Sequence, residues 1–222
     1  VLEAKTRMGL HRNRTVPLPS VTLAVGGRQH QAVARAISQK SLTLIKDAGD
    51  RLPLRLPPGA SVLYLSVLDY TSGWRIAAPS RTMVPELKKR WSGTEAVEVT
   101  DRSTPNELDL VRAMAVRFDA VVAGVFVRAS SGSGRLDLAP GIVRLLQDLG
   151  RGAARRGPPM AAVFFGNPYA AGSVPDVPAM LLTYDFSDLA ESSAVAALAG
   201  EAPIGGKLPI ALPGLFPVGH GL

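Results

Sequence analysis

The sequence predicts a doubly wound α/β fold: a three-layer sandwich in which a mainly parallel sheet carries helices on both faces. Two observations predict it. Short apolar runs such as "SVLYLSV" (61–67), "DAVVAGVFV" (119–127) and "MAAVFF" (160–165) are apolar without alternation, as strands buried on both faces are. Amphipathic segments with helical spacing lie between them, giving a β-α-β-α-β order. Each crossover in such a sheet is expected to be right-handed.

The elements follow in order. "VLEAKTRMGL" reads as an amphipathic helix carrying Glu3, Lys5 and Arg7, with Val1, Leu2, Ala4 and Met8 on its apolar side. A proline-punctuated connection, "HRNRTVPLPS", leads to a helical segment around 28–40 and a short strand, "SLTLI" (41–45). The turn-rich link "RLPLRLPPG" precedes the strand 61–67. Segment 82–91 is a helix whose first turn tolerates Pro85, and "EAVEV" (95–99) is a strand. Helix 104–118 puts Leu108, Val111, Ala115 and Phe118 on one face before the strand 119–127. Helix 139–155, carrying Ile142, Leu145, Leu146 and Leu149, separates that strand from strands 160–165 and 179–184. Ser187 then caps "DLAESSAVAALAG", with Gly200 at its end. "GGKLPIALPG" bends out of the last helix, adds a strand at 208–212 and wraps the surface, with Lys207 beside Glu201 or solvated.

Composition narrows the classes. With 222 residues, 46% of them apolar, the chain can bury a substantial core and is not disordered. No stretch approaches the roughly 20 uncharged apolar residues needed to cross a bilayer, so no membrane partner is expected. The absence of cysteine excludes disulfides, thiolate metal sites and cysteine nucleophiles. The net charge of +7 comes from scattered arginines, and the dense stretch "RGAARRG" (151–157) suits a helix end. Nucleic acid is not expected as a partner.

In a doubly wound sheet, ligands bind outside the carboxyl ends of the strands. That rule selects the exits after Val67, Val99, Val127, Phe165 and Tyr184. The exit "RASSGSGRLDL" (128–138) lacks a phosphate fingerprint, so it reads as a surface loop, with a nucleotide-binding protein as the weaker alternative and no cofactor expected. His11, His30 and His220 lie apart without ligand spacing and read as ordinary surface or linker histidines, no metal is expected, and no GxSxG elbow is present. Asp69 and Asp185 stand just past strand ends, where turn or N-cap service suits them better than acid catalysis. In "FFGNPY" (164–169), Gly166, Asn167 and Pro168 make a rigid strand exit, and Tyr169 buries its ring while keeping its hydroxyl at a polar boundary.

Four ordered segments carry a resemblance: "LEAKTRMGLHRNR" (2–14), "SLTLIKDAGDRLPL" (41–54), "FFGNPYAAGSVPDVPAMLLTYDFSD" (164–188) and "GEAPIGGKLPIALPGLFPVGHG" (200–221). Together they resemble the C-terminal domain of family 3 glycoside hydrolases, nearest to bacterial β-N-acetylglucosaminidase-like members. The resemblance implies that a (β/α)8 barrel with the sugar pocket and an aspartate nucleophile precedes a linking helix and this sandwich. A His/Asp acid–base pair of the N-acetylglucosaminidase branch is implied for the barrel as well. None of those barrel motifs is found in these residues. On this reading residues 1–27 are the linking helix and interdomain linker, and 28–222 are the C-terminal sandwich. The β-glucosidase branch takes its acid from a glutamate of the C-terminal domain. Glu191 and Glu201 are the candidates here, and neither sits in a loop that invites that role.

The expected function is therefore an accessory domain that scaffolds the catalytic barrel of the same polypeptide and is inactive alone, with no catalytic residue of its own. The alternative is a carbohydrate-binding module. Asn167, Tyr169, Asp69 and Asp185 are the candidate residues at a substrate rim, where carbohydrate is the implied ligand. Homo-association through residues 1–10 is a further expectation, and periplasmic or secreted location follows from the resemblance alone.

Overall fold

A computed structural model of the chain describes residues 1–68, 78–127 and 137–222. They form two compact units, Val1–Ile37 and Ser38–Leu222, and the division falls within the third helix.

The first unit holds α1 (Leu2–Arg7), α2 (Leu18–Ala24) and most of α3 (Arg28–Ser41). In α1, Glu3 accepts from Arg7 one turn later at 2.7 Å, an exposed pair that contributes little. Helix α2 forms where the sequence suggested only a connection. Its prolines fall at the N-cap and in the first turn, where a missing N–H leaves no intrahelical bond unmade. None of the three helices contains a buried residue.

The second unit is built on six strands: β1 (Thr43–Asp47), β2 (Val62–Leu68), β3 (Glu95–Thr100), β4 (Ala120–Val127), β5 (Met160–Gly166) and β6 (Ala179–Leu182). Their order is β1-β6-β5-β4-β2-β3. All neighbours are parallel except β1, which runs antiparallel to β6. The chain leaves β2 through α4 (Met83–Arg90) for the edge strand β3. It returns through α5 (Pro105–Ala115) to β4 on the other side of β2, then continues through α6 (Pro140–Arg155) to β5. The winding direction thus reverses between β2 and β4, as a doubly wound sheet requires.

Side-chain alternation divides the core in two. Leu63, Leu65 and Val67 of β2 join Val121, Ala123 and Val125 of β4 beneath Leu108 and Val111 of α5 and Leu145 and Leu146 of α6. The opposite face takes Val62 and Tyr64, Val122 and Phe126, and Val163 and Phe165, beneath Leu87 of α4 and Ala194 and Leu198 of α7 (Asp188–Leu198). Phe126 and Phe165 stack on this side with centroids 4.3 Å apart. Each fully buried aliphatic side chain contributes about 1.5–3 kcal/mol.

Local signals explain the helix ends. Thr104 and Glu107 form a reciprocal capping box on α5, and Ser187 caps α7 by accepting from the Ala190 amide at 3.4 Å. Strand β6 stops at Leu182, short of the expected 184. Tyr184 takes a left-handed φ of 60° and donates its hydroxyl to Thr43 at 2.9 Å, which ends the ladder.

The tail departs from expectation. Residues 208–212 form no strand; one bridge, Leu212 with Phe216, folds the segment on itself. It still covers the outer edge of β1. The Gly206 amide donates to the Leu42 carbonyl at 2.8 Å, Leu222 donates to Leu44 at 2.9 Å, and the His220 Nε2 donates to Ile45 at 2.8 Å. His220 also stacks on Phe216, so it serves structure and is no ordinary surface histidine. Lys207 donates to the Gly221 carbonyl, while Glu201 pairs with Arg90, so of the two readings the Lys207–Glu201 pair is not formed. A chain ending at Gly205 leaves the β1 edge uncovered, and bare edges pair with other chains. Light scattering on that truncation is expected to show stronger concentration-dependent association than the full chain.

Candidate functional site

The reversal between β2 and β4 puts the ligand-side crevice at the ends of Leu68 and Val127. Residues 69–77 and 128–136 follow those ends, so Asp69 and nearly all of the 128–138 loop lie outside the described residues. The exits of β5 and β6 are described, and they hold the other three rim candidates.

Gly166 ends β5 at φ 80°, a conformation that favours glycine. A Cβ here would stand 3.2 Å from the Val127 carbonyl oxygen and 3.3 Å from the Phe186 ring. The ends of β4 and β5 and the turn after β6 therefore converge on this position. The Asn167 side chain accepts from the Tyr169 amide at 3.0 Å, capping a 3-10 turn over Pro168–Ser173. Tyr169 stays 49% exposed, so its ring is not buried as the sequence suggested. Asp185 is exposed and accepts from the Phe186 amide at 2.8 Å and from the Ser187 hydroxyl. Its main-chain carbonyl takes the Thr183 hydroxyl at 2.7 Å. Structure thus brings Asn167, Tyr169 and Asp185 to neighbouring exits, with Asn167 and Asp185 both engaged in shaping their own turns.

The two glutamates weighed as acids are also committed. Glu201 is held by Arg90, which also binds Glu86 at 2.8 Å, and that guanidinium lowers the Glu201 carboxyl below its usual value. Glu191 is 1% exposed. One of its oxygens accepts from the Ser80 amide at 2.8 Å; the other accepts from Thr82 at 2.8 Å and Met83 at 2.7 Å. Those amides belong to the start of α4 and the turn before it, so the carboxylate works as a cap supplied by α7.

Above Glu191 lies a buried hydroxyl chain that sequence reading passed over. The Ser80 hydroxyl bonds both Tyr64 and Ser66 at 2.7 Å. Burial raises the Tyr64 hydroxyl well above its ordinary value. Gly124, paired with Ser66 on the neighbouring strand, makes room for this group, since a Cβ there would come within 2.2 Å of the Tyr64 oxygen. The available signal was a Tyr and a Ser two residues apart in an otherwise apolar strand.

A cavity of about 170 Å³ opens at the other end of the sheet, between α5 and α6. Ala115, Val121, Leu149 and Pro158 line it, and Arg112 and Asp148 close its rim with a 3.0 Å bond. It is mostly apolar and carries one carboxylate. Retaining hydrolysis requires two carboxyl groups about 5–5.5 Å apart, an arrangement this cavity does not offer.

No family model matches the chain. It is 25% identical over 226 residues to the β-N-acetylglucosaminidase/β-glucosidase of Cellulomonas fimi, an alignment covering 95% of this chain and 37% of that protein. The family 3 β-N-acetylglucosaminidase from Paenibacillus sp. str. FPU-7 superimposes with a TM-score of 0.69 at 18% identity, over 95% of this chain and 38% of that one. A β-glucosidase from Listeria innocua, solved with gluconolactone, gives 0.72 at 19% identity over 96% and 31%. The chain thus spans about a third of the length of the relatives it matches. By sequence and by fold, the chain is similar to the C-terminal part of family 3 glycoside hydrolases of the β-N-acetylglucosaminidase/β-glucosidase kind.

Proposed function

We propose that these residues act as the accessory domain of a β-N-acetylhexosaminidase-like glycoside hydrolase, steadying a catalytic barrel and forming one wall of its cleft, without hydrolytic activity of their own. The observation that carries this reading is the match itself: it runs through 95% of this chain yet reaches only 37% of the relative. The first unit supports it. Its helices bury no residue, while Leu2, Met8, Leu18, Leu23 and Ile37 are all more than 60% exposed. Short helices with bare apolar faces need a neighbour to cover them. On this reading the neighbour is the barrel of the same polypeptide, and residues 1–27 serve as linking helix and linker ahead of the sandwich. Self-association through residues 1–10 would cover part of the same surface.

Asn167, Tyr169 and Asp185 take the rim of the shared cleft, where Tyr169 offers a half-exposed ring to a sugar. Incubated alone with a chromogenic N-acetyl-β-glucosaminide, the chain is expected to give no turnover above buffer. Saturable hydrolysis that disappears in Asp185→Asn would overturn the proposal. Calorimetry with N-acetylglucosamine is expected to show nothing tighter than about millimolar.

A further inference from the structure

Glu191 is a carboxylate sealed in the core with no cation hydrogen-bonded to it among the described residues, and its two oxygens take three amide hydrogens from Ser80, Thr82 and Met83. Ser80 holds a φ of 67°, an uncommon left-handed conformation for a residue with a side chain. Its hydroxyl is fixed by Tyr64 and Ser66 and its amide by Glu191, so the neighbours over-determine a turn that local preference would not choose. We propose that Glu191 is a proton-sensitive latch: ionised, it locks the turn 79–83 that leads into α4, and protonated, it releases that lock while the core stays folded.

The chemistry is that of acceptors. A carboxylate offers two charged oxygens, matched here to three N–H donors. A carboxylic acid keeps one good acceptor and places a hydroxyl against N–H groups that cannot accept its proton. Among the described residues, the charged groups that face Glu191 are Asp188 and Arg81, whose guanidinium is raised first by Asp188 and also by the Glu191 charge, with Tyr64 as a neutral third. Asp188 lies one turn earlier on α7, accepts from Arg81 at 2.7 Å and is lowered by it. Tyr64 approaches from β2 through Ser80 and is kept neutral by burial.

Burial raises the Glu191 carboxyl above its usual value, the three amides oppose that, and the Asp188 charge adds to the rise. A carboxyl that holds its proton more tightly folded than unfolded adds most to stability below its unfolded range, and that contribution is lost as pH rises through the folded value. The latch therefore has a particular signature. On acidification the turn loosens while the stability contributed by this site increases.

Amide spectra and hydrogen exchange of the whole chain, recorded from about pH 4 to about pH 8, read both effects. The resonances of Ser80, Thr82 and Met83 are expected to share one midpoint above the ordinary glutamate range. Below it, their protection, corrected for intrinsic exchange, falls about tenfold, as expected when charged acceptors become neutral ones. The melting temperature relative to Glu191→Gln rises across the same midpoint. Glu191→Gln removes the step; Asp188→Asn keeps it but lowers the midpoint. If Glu191→Gln does not fold, the midpoint in Asp188→Asn decides. Three amides without a common step, an unchanged step in Glu191→Gln, or an unmoved midpoint in Asp188→Asn overturns the latch.

Discussion

Glu191→Ala is expected to destabilise the chain by about 3–5 kcal/mol, the low end of what three buried N–H donors cost when they lose their acceptor. The loss does not come from the charge, whose burial is itself unfavourable. It comes from the amides of Ser80, Thr82 and Met83, which lose their acceptor in a region closed to water. Each unsatisfied buried donor costs about 1–3 kcal/mol. Ser80 adds to this, because its left-handed turn loses the amide bond that helps hold it. Urea unfolding of wild type and variant measures the difference directly. A loss below about 1 kcal/mol would mean that water or another side chain reaches those amides.

The second large effect is expected at Gly124. An added methyl would sit 2.2 Å from the Tyr64 hydroxyl oxygen and 3.0 Å from the ring carbon bearing it. Both groups are buried between β2 and β4 at the heart of the sheet, so the ring must leave its place and its bond to Ser80. Overpacking of this kind typically costs about 1–3 kcal/mol, and the lost hydrogen bond places Gly124→Ala near 3 kcal/mol. For a domain of this size that lowers the melting temperature by about 6–12 °C. Tyr64→Phe removes the oxygen in closest conflict, so the two changes together should cost less than their sum. Strict additivity in that cycle would show that the clash lies elsewhere.

The fold was legible where local pattern and global burial agree. Strands β2, β4 and β5 are buried on both faces, which is why they read as unbroken apolar runs. Ser187 announces its helix because a cap acts on amides two or three residues away, and Thr104 caps α5 in the same way without being expected to. What depended on distant partners was not legible. The tail at 208–212 looks like a strand but takes its hydrogen bonds from the residues that fold back on it, Leu212 donating to Phe216 and Leu208 to His220. Helix α2 hid behind prolines that its first turn accommodates.

The site divides in the same way. Asn167 and Asp185 could be read as turn formers, since each bonds an amide one or two residues on. Glu191 could not, because its Met83 donor lies 108 residues earlier in the chain. Its apolar surroundings on α7, with Ala190, Ala194 and Val195 buried beside it, were the available hint that a charge was being held for a reason. Tyr64 and Ser66 show the limit of composition. Their polarity was visible, but the hydroxyl that joins them belongs to Ser80, across a segment with no strand or helix signal.

The account rests on this sandwich lacking a nucleophile of its own and lending its surface to a pocket built elsewhere. The most direct measurement is covalent trapping. The purified chain is incubated with an activated glycoside that forms a long-lived ester with a retaining nucleophile, and its intact mass is then recorded. The account predicts an unchanged mass after prolonged exposure. A stoichiometric sugar adduct mapped to an aspartate or glutamate of these residues would contradict it.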